Sequence, residues 1–325
     1  MADWCRRFRG RGLVKTKEIL AHGTEESNEF MARFDYVQHL APWHLEESLK
    51  SFNTLKPLKQ SGRELNTRHP APNARTTNNQ QPTTVSHWVA IPNFVDTEVF
   101  RPVNDETEKR QCRSKFDLPE DAMIIGCVAA LKKSHKRIDY LIREFAALSE
   151  EGEHSPAQPD TPNVFNGLNS FHDFNDSFLV VAGASQADTN ELVALAQELV
   201  PGRATILPDV PRERMPALYR TFDVFVLPSL FEMMPIAVLE ALASGLPVVT
   251  NSHPVLTWMT GLQDNGDDCV EMHEPGALAE YLAKLDRSSL REKGLAARRR
   301  AETNFSKQNV ISRYSQFYKS VCEIP

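Results

Sequence analysis

Short apolar runs alternate with helix-like segments from about residue 121 to about residue 280. The runs AMIIGCV, FLVVA, ATIL, FDVFVLP and LPVVT have the length and composition of buried strands. Between them, apolar residues recur three or four positions apart, as Ile138, Leu141, Ile142 and Phe145 do after the first run. This alternation predicts an α/β fold, a doubly wound parallel sheet covered by helices on both faces. Ligands of such sheets bind at the carboxyl ends of the strands.

Two segments interrupt this pattern. Residues 54–87 are polar and rich in Pro, Asn, Thr and Gln, which predicts a disordered insertion or linker. Residues 150–177 predict a long surface excursion between a helix and the next strand. Ahead of the linker, FDYVQHLAPWHLEESLKSF at residues 34–52 has the pattern of one further strand and helix.

Composition narrows the class of protein. The chain of 325 residues is 41% hydrophobic and 25% charged, as in ordinary soluble proteins, and its net charge of -6 argues against a general nucleic-acid partner. No apolar run approaches the ~20 residues of a transmembrane segment, and no apolar run follows the basic first residues as in a signal peptide. The five cysteines lack C-x2-C spacing, which predicts reduced thiols. A cytoplasmic protein, at most peripheral to a membrane, is therefore expected.

Two glutamates, Glu232 and Glu240, carry the candidate chemistry. Glu232 follows the apolar run FDVFVLP on a strand-to-helix turn, and Pro235 suits the first turn of the helix that contains Glu240. The N-terminus of a helix has N–H groups without partners and a partial positive charge, so it is a ready anion site. Two carboxylates about two helical turns apart are then placed to bind hydroxyls on either side of a bound phosphate.

The phrase around this pair, SLFEMMPIAVLEALASGLPVVTN, resembles the donor site of retaining GT-B glycosyltransferases of the family 4 type, the glycosyl transferases group 1. Further phrases resemble the same family in the same order over roughly residues 88–322. They are IPNFVDTEVFRP, GCVAALKKSHKRIDYLI, FLVVAG, the run from ATILPDV to SLFE, and AETNFSKQNVISRYSQFYKSV.

The resemblance implies a role for individual side chains. Glu232 would bind the transferred sugar as the catalytic residue, and Glu240 would bind the nucleotide ribose. Lys136 matches the Lys of the family's G-R-L-x4-K-G loop, whose Arg and Lys hold the diphosphate, whereas Ala130 stands at the Arg position. Lys132 is taken as a further donor-binding residue, and it shares with Lys133 and Arg137 the possibility of replacing that Arg.

The resemblance also implies which main-chain groups contact the donor and whether a metal is needed. Met233, Met234 and Pro235 replace the small residues that the family has after the first glutamate, and Pro235 has no N–H to offer. The amides of Ile236 and Ala237 are therefore expected to contact phosphate, with Met234 beside them. The family resembled here needs no metal, so neither a metal site nor a cofactor is expected.

The implied activity is retaining transfer of a sugar from a nucleotide-diphosphate sugar to an acceptor hydroxyl, on an unidentified glycan or lipid-linked acceptor. Residues 1–53 suffice only for a remnant of the acceptor-side domain, so a truncated N-terminal domain is expected. Residues 88–300 would form the donor domain, and residues 301–325 a C-terminal helix packing back toward the N-terminal part.

Two other functions compete with this one. The chain is alternatively a catalytically weak or inactive nucleotide-sugar-binding module that needs a partner chain or a homo-oligomer on its incomplete N-terminal side. A Rossmann oxidoreductase would instead require G-x-G-x-x-G after the first strand, and GCVAALKK does not contain it.

Overall fold

The protein folds as two compact units, one formed by Met1–Asn93 with Val310–Pro325 and the other by Phe94–Asn309. The computed structural model describes residues 19–22, 36–43, 45–46, 88–150, 177–261, 269–285 and 287–323. The linker predicted at residues 54–87 lies outside these residues, as does most of the excursion predicted at 150–177. The units divide at Asn93 and Val310, whereas the sequence suggested divisions at residues 88 and 301.

The smaller unit contains a three-stranded parallel sheet in the order β1-β2-β3. Its strands are β1 (Ile19–His22), β2 (Tyr36–His39) and β3 (Trp88–Ala90). The buried Gln38 side chain donates a hydrogen bond to the Ile91 carbonyl at 2.6 Å, and Arg313 of the C-terminal helix donates to the Ala90 carbonyl at 2.7 Å. These contacts tie the segment after β3 and the end of the chain to the sheet.

The larger unit contains a six-stranded parallel sheet in the order β6-β5-β4-β7-β8-β9. The strands are β4 (Met123–Val128), β5 (Ser177–Gly183), β6 (Ala204–Pro208), β7 (Val224–Leu227), β8 (Val248–Asn251) and β9 (Cys269–Val270). This order confirms the predicted doubly wound parallel sheet. Because the order reverses between β4 and β7, a crevice opens at their carboxyl ends, where ligands of such folds bind.

Helices connect the strands and follow them. They are α1 (Glu106–Ser114), α2 (Ile138–Glu150), α3 (Thr189–Leu199), α4 (Met215–Tyr219), α5 (Ile236–Ala243), α6 (Pro254–Thr260), α7 (Ala277–Ala283), α8 (Arg287–Arg300) and α9 (Lys307–Glu323). Successive strand residues such as Ile124 and Ile125 are both fully buried, because helices cover both faces of the sheet. None of the helices within the described residues combines the length and apolar composition needed to cross a membrane.

Two glycines allow close approach at the centre of the sheet. A Cβ at Gly126 of β4 would lie 2.2 Å from the Phe222 ring, and one at Gly183 of β5 would lie 1.7 Å from the Ala129 carbonyl oxygen. Neither position has room for a side chain. The glycine that ends FLVVAG therefore lets the segment after β4 lie directly against β5.

Helix α5 is fixed at its C-terminal end by an arginine. Arg298 of α8 donates hydrogen bonds to the carbonyls of Ala243 at 2.6 Å, Phe100 at 2.9 Å and Thr97 at 3.0 Å. The positive charge of Arg298 also interacts favourably with the negative end of the α5 dipole. Gly294 of α8 has no Cβ, and one built there would lie 2.4 Å from the Gly245 carbonyl oxygen, so the two helices approach closely.

A buried carboxylate stabilises the start of α7. Glu144 of α2, only 4% exposed, accepts hydrogen bonds from the backbone N–H groups of Gly276 at 2.7 Å and of Leu278 and Ala279 at 3.0 Å. These N–H groups have no partner within the helix, and the carboxylate also matches the positive end of its dipole. The contact locks α2, which begins directly after the Lys136 loop, against α7.

We expect Glu144→Ala to lower the free energy of unfolding by about 3 kcal/mol, because three N–H donors at the start of α7, two of them buried, lose a charged acceptor. Glu280→Ala is the matched control, since Glu280 pairs only with Lys284 on the exposed face of α7 and should cost no more than about 0.5 kcal/mol. Urea unfolding of both variants measures the difference. Equal losses would contradict a capping role for Glu144.

Candidate functional site

A pocket of about 320 Å³ opens at the carboxyl ends of β4, β5 and β7. It is lined by residues at or after three strands. These are Val128, Ala129, Ala130 and Lys136 from the first, Gly183 and Ala184 from the second, and Leu227, Glu232, Pro235, Ile236, Ala237 and Glu240 from the third. The pocket lies at the reversal of strand order that the fold uses for ligand binding.

The sequence-predicted site residues divide into two groups. Glu232, Glu240, Lys136, Ile236 and Ala237 all line this one pocket. Two others do not line it. The Met234 side chain is 4% exposed and belongs to the core, and Lys132 lies on the loop after β4 with its N–H donated to the Ala130 carbonyl at 2.8 Å. The donor-binding roles of all seven stay predictions.

Lys136 and Glu232 form an ion pair inside the pocket, with Lys136 Nζ donating to Glu232 Oε1. The side chains are only 18% and 9% exposed. A main-chain bond from the Leu230 N–H to the His135 carbonyl, 2.9 Å long, holds the loops together beside the pair. The cation and the carboxylate are thus prepositioned by the backbone, and each neutralises the other.

Two other cations of the β4 loop, Lys133 and Arg137, have partners outside the pocket. Lys133 pairs with Glu191 of α3, and its N–H donates to Asp188 at 2.7 Å. Arg137, at a left-handed φ of +52°, donates to the Met272 carbonyl and lies over the Tyr140 ring at 4.0 Å. Neither side chain lines the pocket, and both are bound to other partners in this structure. Lys136 is the one cation among the described lining residues, and Ala130 contributes a methyl group.

Helix α5 presents its N-terminus to the pocket. The helix begins after Pro235, whose φ of −68° and ψ of 123° are extended and whose side chain forms no cap. Ile236 and Ala237 have no partner for their N–H groups within the helix, since the residues one turn before them lie outside it. With the helix dipole, these groups make a site for an anion in the pocket that Lys136 also lines.

Glu240 lies one to two turns along α5 in a mostly apolar setting. Burial raises the pKa of its carboxyl above the ordinary value, and a hydrogen bond from Tyr219 opposes that shift. The fully buried Tyr219 hydroxyl also lies 3.2 Å from the Ala237 carbonyl oxygen. The sequence pattern gives no signal for Tyr219 as a site residue, because its contact with Glu240 crosses between α4 and α5.

Other reactive groups near the pocket have different roles. Burial raises the pKa of the Cys127 thiol to about 12, so this residue stays protonated and is no nucleophile. Burial also lowers the pKa of His253, whose ring packs edge-on against Phe231 at 5.7 Å. Within the described residues, no group of three or more His, Cys, Asp or Glu side chains converges as a metal site would require.

Comparison with known proteins assigns the class. Residues 108–303 match the family described as "Glycosyl transferases group 1". The match spans more than half of the chain and contains the whole pocket. The chain belongs to this family, as the phrases around Glu232 and Glu240 predicted.

Individual relatives are similar only in part. The chain is 31% identical over 199 residues to D-inositol 3-phosphate glycosyltransferase of Salinispora tropica, covering 59% of this chain and 37% of that protein. It is 30% identical over 163 residues to "Putative glycosyltransferase EpsF" of Bacillus subtilis, covering 49% and 34%. The chain thus spans well under half the length of these relatives.

Solved structures share the fold. Sucrose-phosphate synthase of Thermosynechococcus elongatus superposes with a TM-score of 0.67 at 18% identity, covering 98% of this chain and 71% of that one. Anabaena HepE, solved in complex with UDP and glucose, superposes with a TM-score of 0.64 at 14% identity, covering 93% and 71%. At these identities the likeness shows a GT-B-like fold.

Tyr219→Phe is expected to raise the pKa of Glu240 further, because burial then acts on the carboxylate without the hydroxyl that stabilises its charged form. Tyr140→Phe is the matched control, since that hydroxyl likewise lies 3.2 Å from a carbonyl oxygen, of Glu274, but away from the pocket. Carboxyl ¹³C titration, with Glu240→Gln assigning the signal, measures the pKa. An unchanged titration in Tyr219→Phe would show that the hydroxyl does not act on Glu240.

Proposed function

We propose that this chain binds a nucleotide-diphosphate sugar in the pocket at the carboxyl ends of β4, β5 and β7, and transfers the sugar with retention to an acceptor hydroxyl. One observation carries the proposal: both glutamates, Lys136 and the N-terminus of α5 line the same pocket. Family membership supports it, as do relatives named glycosyltransferases and a structural neighbour solved with UDP and glucose.

Each wall of the pocket suits one part of such a donor. The amides of Ile236 and Ala237 and the ammonium of Lys136 face a diphosphate, which gains negative charge as it leaves. Glu240, farther along α5, accepts hydrogen bonds from ribose hydroxyls, and Glu232 accepts them from the sugar. Preorganised donors of this kind stabilise the leaving group without requiring a metal ion.

A specific observation also favours the alternative of a nucleotide-sugar-binding module that needs a partner chain. Ala130 brings no guanidinium to the pocket, and Lys136 is already neutralised by Glu232. Transfer further requires that the acceptor be held against the sugar in a closed cleft. Assaying the chain with a panel of nucleotide sugars and acceptors separates the two functions: turnover supports a transferase, and donor binding without turnover supports a module.

Nucleotide binding should depend on Glu240. A hydrogen bond to a charged group contributes about 1.5–3 kcal/mol, so Glu240→Ala should weaken UDP binding roughly tenfold or more. Glu280→Ala, which removes an exposed carboxylate on α7, should leave the affinity unchanged. Isothermal titration calorimetry measures both. Wild-type affinity in Glu240→Ala would refute the ribose assignment.

Donor binding should persist without divalent cations. The sequence has no D-x-D pair near the pocket, and Lys136 with the α5 amides supplies positive charge to a diphosphate. We expect the same dissociation constant for UDP-glucose in EDTA and in magnesium, measured by calorimetry. Binding that EDTA abolishes and magnesium restores would mean that a metal ion holds the diphosphate.

A further inference from the structure

The ion pair between Lys136 and Glu232 places two roles of the proposed site in competition. Lys136 is the one cation among the described residues that line the pocket, and its Nζ is hydrogen-bonded to Glu232. Under the proposed function, the diphosphate needs this ammonium and the sugar needs this carboxylate. While Lys136 and Glu232 are paired, the ammonium is not free to bind the diphosphate and the carboxylate is not free to bind the sugar.

The pair is well placed to compete with an anion. Its side chains are 18% and 9% exposed, so the interaction is screened less than a surface pair would be. The hydrogen bond from the Leu230 N–H to the His135 carbonyl keeps the two loops together. Glu232 and Lys136 therefore lose little conformational entropy when they pair. A diphosphate entering alone must take the ammonium from Glu232 and also approach a carboxylate of its own sign.

A nucleotide sugar meets a different site. Its sugar hydroxyls donate to the Glu232 carboxylate and replace the donor that Lys136 provided. The ammonium is then released toward the diphosphate at the α5 N-terminus. The sugar and the cation thus exchange partners, and the charge of Glu232 stays hydrogen-bonded throughout.

We propose that Glu232 is a built-in competitor for the diphosphate, through which the pocket discriminates a nucleotide sugar from a free nucleoside diphosphate. While the sugar is present, Glu232 binds it and Lys136 holds the diphosphate. After the sugar has left, Glu232 recaptures Lys136, and the nucleoside diphosphate loses the one side-chain cation that the described lining residues offer it and dissociates. The inference rests on the proposed function and adds to it a determinant of specificity and product release.

The test compares UDP binding by the wild type with UDP binding by single and double variants, measured by calorimetry. Glu232→Gln keeps the shape of the side chain but removes its charge, so UDP should bind roughly tenfold more tightly than to the wild type. Lys136→Met in the Glu232→Gln background should abolish the gain. Glu232→Ala serves as a second variant without the carboxylate and should show the same direction of change.

The control variant is Glu191→Gln, which neutralises the partner of Lys133 outside the pocket and should leave UDP affinity unchanged. The affinity for UDP-glucose should change in the opposite direction, because Glu232→Gln and Glu232→Ala weaken the contact with the sugar. A gain for UDP that disappears with Lys136→Met supports the competition.

Two results would overturn the inference, and they are distinguishable. If the wild type binds UDP and neither Glu232 variant binds it more tightly, the competition is wrong while the proposed donor site stands. If neither the wild type nor any variant binds UDP or UDP-glucose, the donor site itself is wrong, and the competition falls with it.

Discussion

The position of α5 is the constraint on which the candidate site depends. Val238, Leu239, Ala241, Leu242 and Ala243 are all buried, and Arg298 binds the carbonyl at the C-terminal end of the helix. The helix therefore cannot shift along its axis without breaking its packing. Its N-terminus is held at the reversal of strand order between the paired strands β4 and β7, where the connections after the two strands run in opposite directions and leave a crevice. The pocket, its unpaired amides and both glutamates follow from this one placement.

Within the pocket, charge is arranged in pairs. Lys136 and Glu232 neutralise each other, and Glu240 lies beside the Tyr219 hydroxyl in an apolar setting that raises its pKa. Such groups are costly to bury unless a partner is present, so ligand binding here is an exchange of partners. The departure from the family's usual loop, with Ala130 where the resemblance places an Arg, makes that exchange depend on Lys136 alone among the described lining residues.

The sequence predicted what depends on local pattern. Apolar runs located β4 to β8 of the larger sheet, and the turn residues around Pro235 placed Glu232 before α5 and Glu240 within it. The side-chain contacts that determine which charges the pocket presents were not predictable from that pattern. Lys136 and Glu232 are 96 positions apart, and Arg137 donates to the Met272 carbonyl, 135 positions away. The sequence analysis missed β1, β3 and β9, of which β3 and β9 have only three and two residues.

The central claim is that the N-terminus of α5, Lys136 and Glu240 together form the binding site of a nucleoside diphosphate. A crystal structure of the chain with UDP tests it most directly. The account predicts the diphosphate against the amides of Ile236 and Ala237 and within reach of the Lys136 ammonium, with the ribose hydroxyls on the Glu240 carboxylate. UDP bound elsewhere, or bound in this pocket with its diphosphate away from the start of α5, would contradict it.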